Sequence, residues 1–298
     1  MSASNVGKND IPSEDEDTTY TIKDLRTIAQ DATFYLNGHC SSVNALSPEA
    51  QKRLDEKFNE KFFAPWQRKE SFPTKDSVLQ NFEGFSRNLG FGENKRKHNG
   101  QWIEHLIELA NMYSYPNTNK FAITTRNTSL RVLPTHKPHF NDFNIAGEGY
   151  PFDNLQISTV FANTPLFIYH FTTGQSWAFV KSPLAEGWIA ATDIAFVDDD
   201  FINQWKIGEY IALIKDNVAI TDEEGIFRFN GLIGTIFPKM TENDKDYKVF
   251  ITVVDINGMA VIKRAILPKA WAVLKPMELS PLNMAKMINE LLNQPYGW

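Results

Sequence analysis

The feature that most restricts the fold of this chain is a change in its hydrophobic pattern near Lys120. Upstream, apolar residues recur every three or four positions, which is the repeat of an amphipathic helix. Downstream, short runs rich in β-branched and aromatic residues, such as residues 121–125 and 165–171, are separated by turn residues. Strands at this spacing favour small barrels over a parallel sheet. The sequence therefore predicts an α+β fold, with a helical region first and β-structure after it.

Three helices are predicted in the first 118 residues. The first begins with Ser47, a suitable N-cap, followed by Pro48, which the first helical turn accommodates. A further helix near the C-terminus repeats this start at Ser280 and Pro281. Each of the first three helices has an apolar stripe for packing. The stripes are Ala50, Leu54, Phe58 and Phe62; Val78, Phe82, Phe85 and Leu89; and Ile103, Leu106, Ile107 and Ala110.

Two β modules of roughly 75 to 90 residues are predicted after the helices, a normal size for small domains. Gly174 lies at a tight turn that requires positive φ, and Asn257 with Gly258 is the residue pair typical of a type I′ hairpin. The predicted segments are an acidic disordered tail over 1–18, a helical region over 19–118, small β-barrels over 119–200 and 201–276, and a helix with a linker over 277–298.

The charge distribution argues against a nucleic-acid partner. The net charge is −6, and five acidic residues against Lys8 give residues 1–18 a charge of −4. The rest of the chain therefore carries −2 and has no basic excess for nucleic acid. No apolar stretch approaches the ~18 residues of a membrane span, and the N-terminus lacks the basic and apolar parts of a signal peptide. This favours a cytoplasmic protein, or one whose export signal lies outside the given sequence.

Cys40 is the only cysteine, which excludes an intramolecular disulfide. It follows His39, so a thiol activated by an imidazole is one hypothesis. Adjacent residues rarely direct their side chains at each other, however, and catalytic Cys-His pairs are usually distant in sequence. An ordinary loop cysteine is therefore the favoured interpretation.

Two other polar clusters give weak signals for metal binding. His136 and His139 are three residues apart, but Pro138 between them prevents the helical geometry of a metal-binding pair. A solvated loop is favoured there, and a solvated linker is favoured for the three aspartates at 198–200. The sequence has no phosphate-binding glycine loop, Ser-His-Asp signature or metal motif, so no cofactor is predicted.

The strongest binding signal is the segment GEGYPFDNLQIS, residues 147–158. It combines two glycines and a proline with Glu148, Tyr150 and Asp153. A small ligand with an ammonium group would suit the two carboxylates, with the tyrosine ring as one wall. The alternative is a structured loop whose carboxylates cap their own backbone. Composition alone supports both interpretations equally.

Four segments resemble the N-terminal part of bacterial NlpC/p60 cysteine peptidases that carry two SH3-like domains. The resemblance extends from Tyr20 to Trp298. It implies a helical clip, SH3-like domain 1 at 119–200, SH3-like domain 2 at 201–276, and a papain-like catalytic domain after the last residue. The four segments are TTRNTSLRVLPTHKPHF at 124–140, GEGYPFDNLQIS at 147–158, SWAFVKSPLAEGWI at 176–189 and QPYGW at 294–298.

The resemblance also implies a function. These enzymes are similar to γ-D-glutamyl-meso-diaminopimelate endopeptidases, which cleave peptidoglycan stem peptides with a cysteine nucleophile and a histidine base. The nucleophile would follow Trp298, so no catalytic residue is assigned, and the chain is expected to be truncated and inactive alone. SH3-like domain 1 would form one wall of the substrate cleft and help select a free N-terminal L-alanine. Glu148, Tyr150 and Asp153 are inferred as the ammonium site.

The expected partners are a stem peptide and the catalytic domain, with no nucleic acid and no membrane span. The last helix is expected to leave apolar surface uncovered, because the catalytic domain would cover it. The resemblance implies the cell envelope, or the cytosol for an enzyme that recycles muropeptides. The alternative function is a stand-alone wall- or peptide-binding module without catalytic activity. A third hypothesis makes Cys40 the nucleophile, and would require hydrolysis that Cys40→Ala abolishes.

Overall fold

The computed structural model describes residue 24 and residues 27–36, 43–67 and 72–294. The acidic tail predicted over 1–18 lies outside these residues. Within them, helices precede two β units and a further helix follows, which confirms the predicted α+β fold. The helices are α1 (Pro48–Phe62), α2 (Lys75–Arg87), α3 (Gly100–Ala110), α4 (Asp199–Trp205) and α5 (Pro281–Glu290).

Side-chain caps fix where the helices begin. Ser47 Oγ accepts a hydrogen bond from Ala50 N at 3.2 Å, which confirms the predicted start of α1. Ser280 Oγ accepts from Asn283 N in the same way at the start of α5. The end of α3 is also marked locally, because Asn111 adopts the left-handed conformation with a φ of 50°. These signals lie within one turn of each helix end, so they are visible in the sequence.

The predicted apolar stripes differ in how completely they are covered. Val78 and Phe82 of α2 are buried together with Ile103, Leu106 and Ala110 of α3, in a cluster with rings from the first β unit. In α1, by contrast, no residue is fully buried. The second and third helices therefore dock onto the β-structure, whereas α1 lies at the surface with its stripe partly exposed.

The first β unit is a seven-stranded sheet that contains β1 (Lys120–Thr124), β2 (Thr128–Arg131), β3 (Gln156–Val160), β4 (Pro165–Phe171), β5 (Trp177–Lys181), β6 (Glu186–Ala190) and β7 (Ile194–Phe196). The strand order is β3-β2-β6-β5-β4-β1-β7, and the pairs are antiparallel. Leu130 and Ile168 belong to the interior cluster of this unit, whereas Tyr169 and Trp188 meet α2 and α3. The predicted positive φ of Gly174 is confirmed at 75°.

The second β unit contains β8 (Tyr210–Leu213), β9 (Val218–Thr221), β10 (Phe227–Gly231), β11 (Ile236–Glu242), β12 (Asp246–Val254), β13 (Ala260–Pro268) and β14 (Ala272–Leu274). Five strands form a sheet in the order β13-β12-β11-β8-β14, and β9 pairs with β10. Ile211, Phe237 and Val249 are fully buried in its core. This unit therefore has a hydrophobic core of its own, as expected of a separate small domain.

The turn between β12 and β13 differs from the predicted type I′ hairpin. Gly258 has a positive φ of 78° but Asn257 does not, whereas a type I′ turn requires positive φ at both central residues. Gly258 N donates to Asp255 O at 3.1 Å, and Asp255 Oδ1 accepts from Asn257 N and Met259 N, both at 2.8 Å. The prediction of the turn type is therefore wrong, because the aspartate side chain organises a longer turn.

The three aspartates at 198–200 are exposed, as the prediction of a solvated linker expects, but they begin a helix instead of forming an irregular linker. Asp198 is the N-cap of α4, and its Oδ1 accepts from Phe201 N at 2.8 Å. The other two occupy the first turn, where the helix dipole favours negative charge. Phe201 and Trp205 are buried in a cluster with residues from both β units. The segment is therefore a packed connection between the units.

The helical region contacts both β units. Trp66 Nε1 donates to Ala122 O of β1 at 2.8 Å. Lys275, which follows β14, forms an ion pair with Asp55 of α1. One helical region therefore holds the two β units in a common arrangement.

The last helix, α5, leaves part of its apolar surface exposed. Met284 is 43% exposed and Ile288 is 51% exposed, and Leu291 and Leu292 continue the same stripe. The exposed stripe agrees with the expectation that α5 leaves apolar surface uncovered.

Among the described residues, no helical segment combines the length and the apolar composition that a membrane span requires.

Candidate functional site

The candidate binding segment belongs to the connection between β2 and β3, and its own backbone holds its shape. Asn141 N donates to Glu148 O at 3.0 Å. Gly147 has a φ of 84°, a conformation that residues with a side chain rarely adopt. A Cβ on Gly149 would lie 3.1 Å from the Cα of Phe143, so this position favours glycine for lack of space. The two glycines of the motif therefore serve the geometry of the loop.

Glu148 and Tyr150 are the accessible members of the predicted site. Glu148 is partly exposed, and its Oε2 accepts a hydrogen bond from Asn141 Nδ2 at 2.5 Å. Its Oε1 accepts no hydrogen bond from the residues that the structure describes. Tyr150 is 82% exposed and precedes Pro151 in a cis peptide bond. The loop therefore offers a carboxylate oxygen and an aromatic ring to a ligand from solvent.

Asp153 lies in a more enclosed environment. Its Oδ2 is 2.5 Å from Arg131 Nη1, and its Oδ1 accepts from His139 N at 2.9 Å and Leu155 N at 3.0 Å. The side chains of Asp153 and Arg131 are only 13% and 5% exposed. This carboxylate therefore caps its own loop, as one of the two interpretations of the sequence expects. Three hydrogen-bond donors contact the carboxylate of Asp153, whereas one contacts the carboxylate of Glu148.

Arg131, in β2, is a residue of this region that sequence reasoning missed. Its guanidinium donates from Nε to Thr135 O, from Nη2 to Lys137 O and from Nη1 to Gln156 Oε1, each at 3.0 Å. With the bond to Asp153, these contacts hold β2, the following turn and the start of β3 together. The available signal was an arginine within the apolar run LRVLP, because a buried charge requires partners.

His136 is exposed, as the predicted solvated loop expects, but His139 is buried, which corrects the prediction at that residue. The residue is 1% exposed; its Nε2 lies 3.1 Å from Asn88 O, and its Nδ1 lies 3.3 Å from Asn154 Nδ2. Burial lowers the pKa of His139 below its ordinary value, although the hydrogen bond to Asn88 acts in the opposite direction. The prediction failed because α2 covers this part of the loop, and Phe85 lies edge-on to the imidazole ring at 4.8 Å.

The candidate segment lies away from three clefts of the molecule. Clefts of about 740, 310 and 510 Å³ are present elsewhere, and none of the three is lined by Glu148, Tyr150 or Asp153. The largest lies where the helical region meets the two β units. A ligand bound at this segment would be enclosed only with a wall from another domain or molecule. Residues that line the largest cleft include Phe72, Lys120, Phe121, Phe167, Tyr169 and Met259.

Cys40, with its neighbour His39, lies outside the described residues, so the nucleophile hypothesis stays a prediction. Residues 295–298 of the QPYGW segment also lie outside the described residues. Among the residues with described positions, no group of three or more His, Cys, Asp or Glu side chains is arranged to hold a metal ion. The polar groups of the candidate segment are instead arranged around hydrogen bonds to neighbouring backbone and side chains.

Three family models match the chain in succession. The first, the NLPC_P60 stabilising domain, matches residues 1–115; an SH3 domain of SH3b1 type matches 138–190; and an SH3 domain of SH3b2 type matches 198–242. Fold and site thus define a multidomain protein in which a helical domain supports two SH3-like domains. More specifically, the chain matches the NLPC_P60 stabilising domain and two SH3 domains in this order, which confirms the resemblance seen in the sequence.

A solved structure extends this comparison. An NlpC/P60 endopeptidase from Photobacterium damselae subsp. piscicida is similar to this chain, with a TM-score of 0.79 and 27% sequence identity. The similarity covers 91% of this chain and 63% of that chain. This chain therefore spans less than two thirds of the endopeptidase. No match to a curated protein is found.

Proposed function

We propose that this chain is the substrate-positioning, non-catalytic part of a peptidoglycan stem-peptide hydrolase, of the γ-D-glutamyl-diaminopimelate endopeptidase type. The observation that carries this proposal is the similarity over 91% of the chain to an NlpC/P60 endopeptidase. The second proposed partner, besides the stem peptide, is a catalytic domain. The exposed apolar stripe of α5 supports such a partner, because a contiguous apolar surface is suited to burial against another domain.

The proposed ligand site consists of Glu148, Tyr150 and Asp153 in SH3-like domain 1. Glu148 Oε1 accepts a hydrogen bond from the N-terminal ammonium of the stem peptide, and the ring of Tyr150 covers the ligand. A carboxylate has about four acceptor positions, and the described donors to Asp153 use three of them. Asp153 therefore contributes less directly than Glu148, and it also keeps the loop in place.

A comparison of two peptides tests this site: a stem tripeptide with a free N-terminus, and the same peptide with an acetylated N-terminus. A charge-assisted hydrogen bond contributes about 1.5–3 kcal/mol, so the free peptide should bind about ten- to a hundredfold more tightly. Glu148→Gln keeps the size but removes the charge, and should bring this ratio close to one with little change in thermal stability. Tyr150→Phe should preserve the ratio if Tyr150 contacts the ligand through its ring and not through its hydroxyl group. Protein-observed NMR titration measures both affinities, even when they are weak.

Asp153→Asn separates the two roles of that carboxylate. It should lower the thermal stability, because an amide beside Arg131 cannot replace the lost charge, and it should reduce the peptide ratio less than Glu148→Gln does. If both variants leave the ratio unchanged and only stability falls, the carboxylates serve the loop alone. The ligand site would then be refuted, whereas the domain assignment would stand.

The second candidate function is a stand-alone cell-wall or peptide-binding module without catalytic activity. The two SH3 matches support it as well, because they concern only the accessory domains. The reading frame after the codon for Trp298 distinguishes the two functions. A glycine pair and a cysteine within about twenty residues would support the hydrolase, and a stop codon would support the module.

The proposed location of the protein is the cell envelope, with the cytosol as the alternative for an enzyme that recycles muropeptides. Cell fractionation tests this location.

A further inference from the structure

Two asparagine side chains connect the helical region to the carboxylate of Glu148. Asn88, the C-cap of α2, donates from Nδ2 to Asn141 Oδ1 at 2.9 Å. Asn141 Nδ2 in turn donates to Glu148 Oε2 at 2.5 Å. An ionised carboxylate only accepts hydrogen bonds, so it fixes the orientation of the Asn141 amide and, through it, that of Asn88. The helical region therefore reaches the candidate ligand site through two hydrogen bonds.

Backbone contacts hold both asparagines in place. Asn141 N donates to Glu148 O, so its backbone and its side chain both contact the glutamate. Asn88 N donates to Gly84 O within the last turn of α2, and Asn88 O lies 3.1 Å from Nε2 of the buried His139. Since both ends are anchored, the connection restricts the rotation of the Glu148 side chain. A side chain that is already ordered loses less conformational entropy when a ligand binds.

We propose that Asn141 and Asn88 are positioning residues for ligand recognition by Glu148. They hold the carboxylate with Oε2 occupied, so that Oε1 accepts the ammonium of a peptide with a free N-terminus. The inference rests on the proposed function and extends it, because it gives the helical region a part in specificity besides its support of the β units. Neither asparagine contacts the ligand in this arrangement; both act through Glu148.

Asn141→Ala in the full chain tests the inference, with L-Ala-γ-D-Glu-meso-diaminopimelate and its N-acetyl form as the two probes. The loss of one hydrogen bond to the carboxylate should weaken binding of the free peptide about three- to tenfold and leave the acetylated peptide unaffected. Asn88→Ala should act in the same direction but less, because it is one hydrogen bond further from Glu148. The affinity ratio is the decisive measurement, since a purely structural role would lower stability without changing the preference between peptides.

Asn117→Ala is the matched control. The Oδ1 of Asn117 accepts from Phe171 N at 2.8 Å, and its Nδ2 donates to Phe171 O at 2.9 Å and to Ser114 Oγ at 3.4 Å, so this variant also removes asparagine hydrogen bonds, but outside the loop. It should lower stability and leave the ratio unchanged. If Glu148→Gln removes the discrimination and Asn141→Ala retains it, the positioning role is refuted and the proposed function stands. If the unmodified chain does not discriminate between the peptides, the proposed ligand site fails and the positioning role fails with it.

Discussion

The Arg131–Asp153 pair is a mostly buried ion pair beneath the candidate loop. Arg131→Met would leave a mostly buried carboxylate without its counter-charge, and would also remove the donors to Thr135 O and Lys137 O. Removing one partner of a buried ion pair costs about 3–5 kcal/mol, because the remaining charge stays uncompensated. We therefore expect Arg131→Met to lower the free energy of unfolding by about this amount, measured by urea denaturation at neutral pH.

An arginine on the exposed surface of α2 provides the control for this prediction. Arg87 pairs with Glu83 at 3.2 Å, and the two side chains are 80% and 61% exposed. Exposed pairs contribute only about 0–1 kcal/mol, so Arg87→Met should change stability little. The double variant Arg131→Met/Asp153→Leu should regain part of the loss, since no buried charge remains. Similar small effects for both single arginine variants would contradict the buried-pair explanation.

Individual site residues could be predicted from the sequence to different degrees. The loop position of Glu148 and Tyr150 could be predicted, because the flanking glycines and proline mark a loop. The partner of Asp153 could not, because Arg131 is 22 residues earlier and only the pairing of β2 with β3 brings the two together. The burial of His139 depends on α2, which is still more distant in the chain. Local chemistry is visible in the sequence, whereas partners across elements require the fold.

Among the elements, α1 is attached to the second β unit by few contacts. Lys275 pairs with Asp55, donates to Asn59 Oδ1 at 2.9 Å, and places its Nζ 4.6 Å from the centre of the Phe58 ring. No residue of α1 is fully buried, so these contacts and the hydrogen bond from Gln51 Nε2 to Met277 O attach its surface to this part of the chain. We expect Lys275→Met to increase amide hydrogen exchange throughout α1 by about ten- to a hundredfold, the effect of losing a charge-assisted hydrogen bond.

Lys52→Met makes the same chemical change on an exposed position of α1 itself. It should leave the exchange of α1 amides close to that of the unmodified protein. Exchange in α2 and α3 should be unchanged in both variants, because those helices dock on the first β unit. If the two lysine variants gave the same exchange in α1, the contact with the second β unit would not be what holds this helix.

The elements themselves show where sequence prediction succeeds and where it stops. The start of α1 could be predicted because Ser47 caps a turn made by the next few residues. The exposure of Leu54 and Phe58 could not, because the 3.6-residue repeat gives the stripe but not what covers it. At the β12–β13 turn, Gly258 was a sufficient signal for a hairpin, but the Asp255 side chain decided the turn type. Propensity thus gives the element, and tertiary contacts decide its environment.

Over the whole molecule, three histidines link the helical region to the first β unit. His139 lies under α2, and His170 places Nε2 2.8 Å from Ala110 O at the end of α3. His98 stacks on Trp102 of α3 with ring centres 3.9 Å apart, and its ring is also stacked with that of His139 at 6.0 Å. Burial lowers the pKa of all three histidines below the ordinary value. His170 Nδ1 is buried without a hydrogen-bond partner among the described residues, so protonation would place an unpaired charge in the core.

The free energy of unfolding should therefore decrease as the solution becomes mildly acidic. An unfolded histidine titrates near pH 6.5, and the folded ones titrate lower, so below about pH 6.5 the unfolded chain binds protons that the folded chain does not. The stabilisation is complete above this pH and is lost progressively below it. Carboxylates with a lowered pKa, such as Glu290, affect stability only below about pH 4.5, so the interval between pH 7 and 5 isolates the histidines.

Urea denaturation at several values between pH 7 and 5 measures this dependence, and imidazole NMR titration assigns it to residues. His139 and His170 should remain neutral in the folded protein at pH values where a free imidazole is protonated. His105→Gln, at an exposed position on α3, is the control that removes an imidazole without removing any of these three contacts. Because the three linking histidines lie between α2, α3 and the first β unit, the loss of stability should begin with increased hydrogen exchange in those two helices. A free energy of unfolding that stayed constant or rose from pH 7 to 5 would contradict the lowered pKa values and the coupling between helices and sheet derived from them.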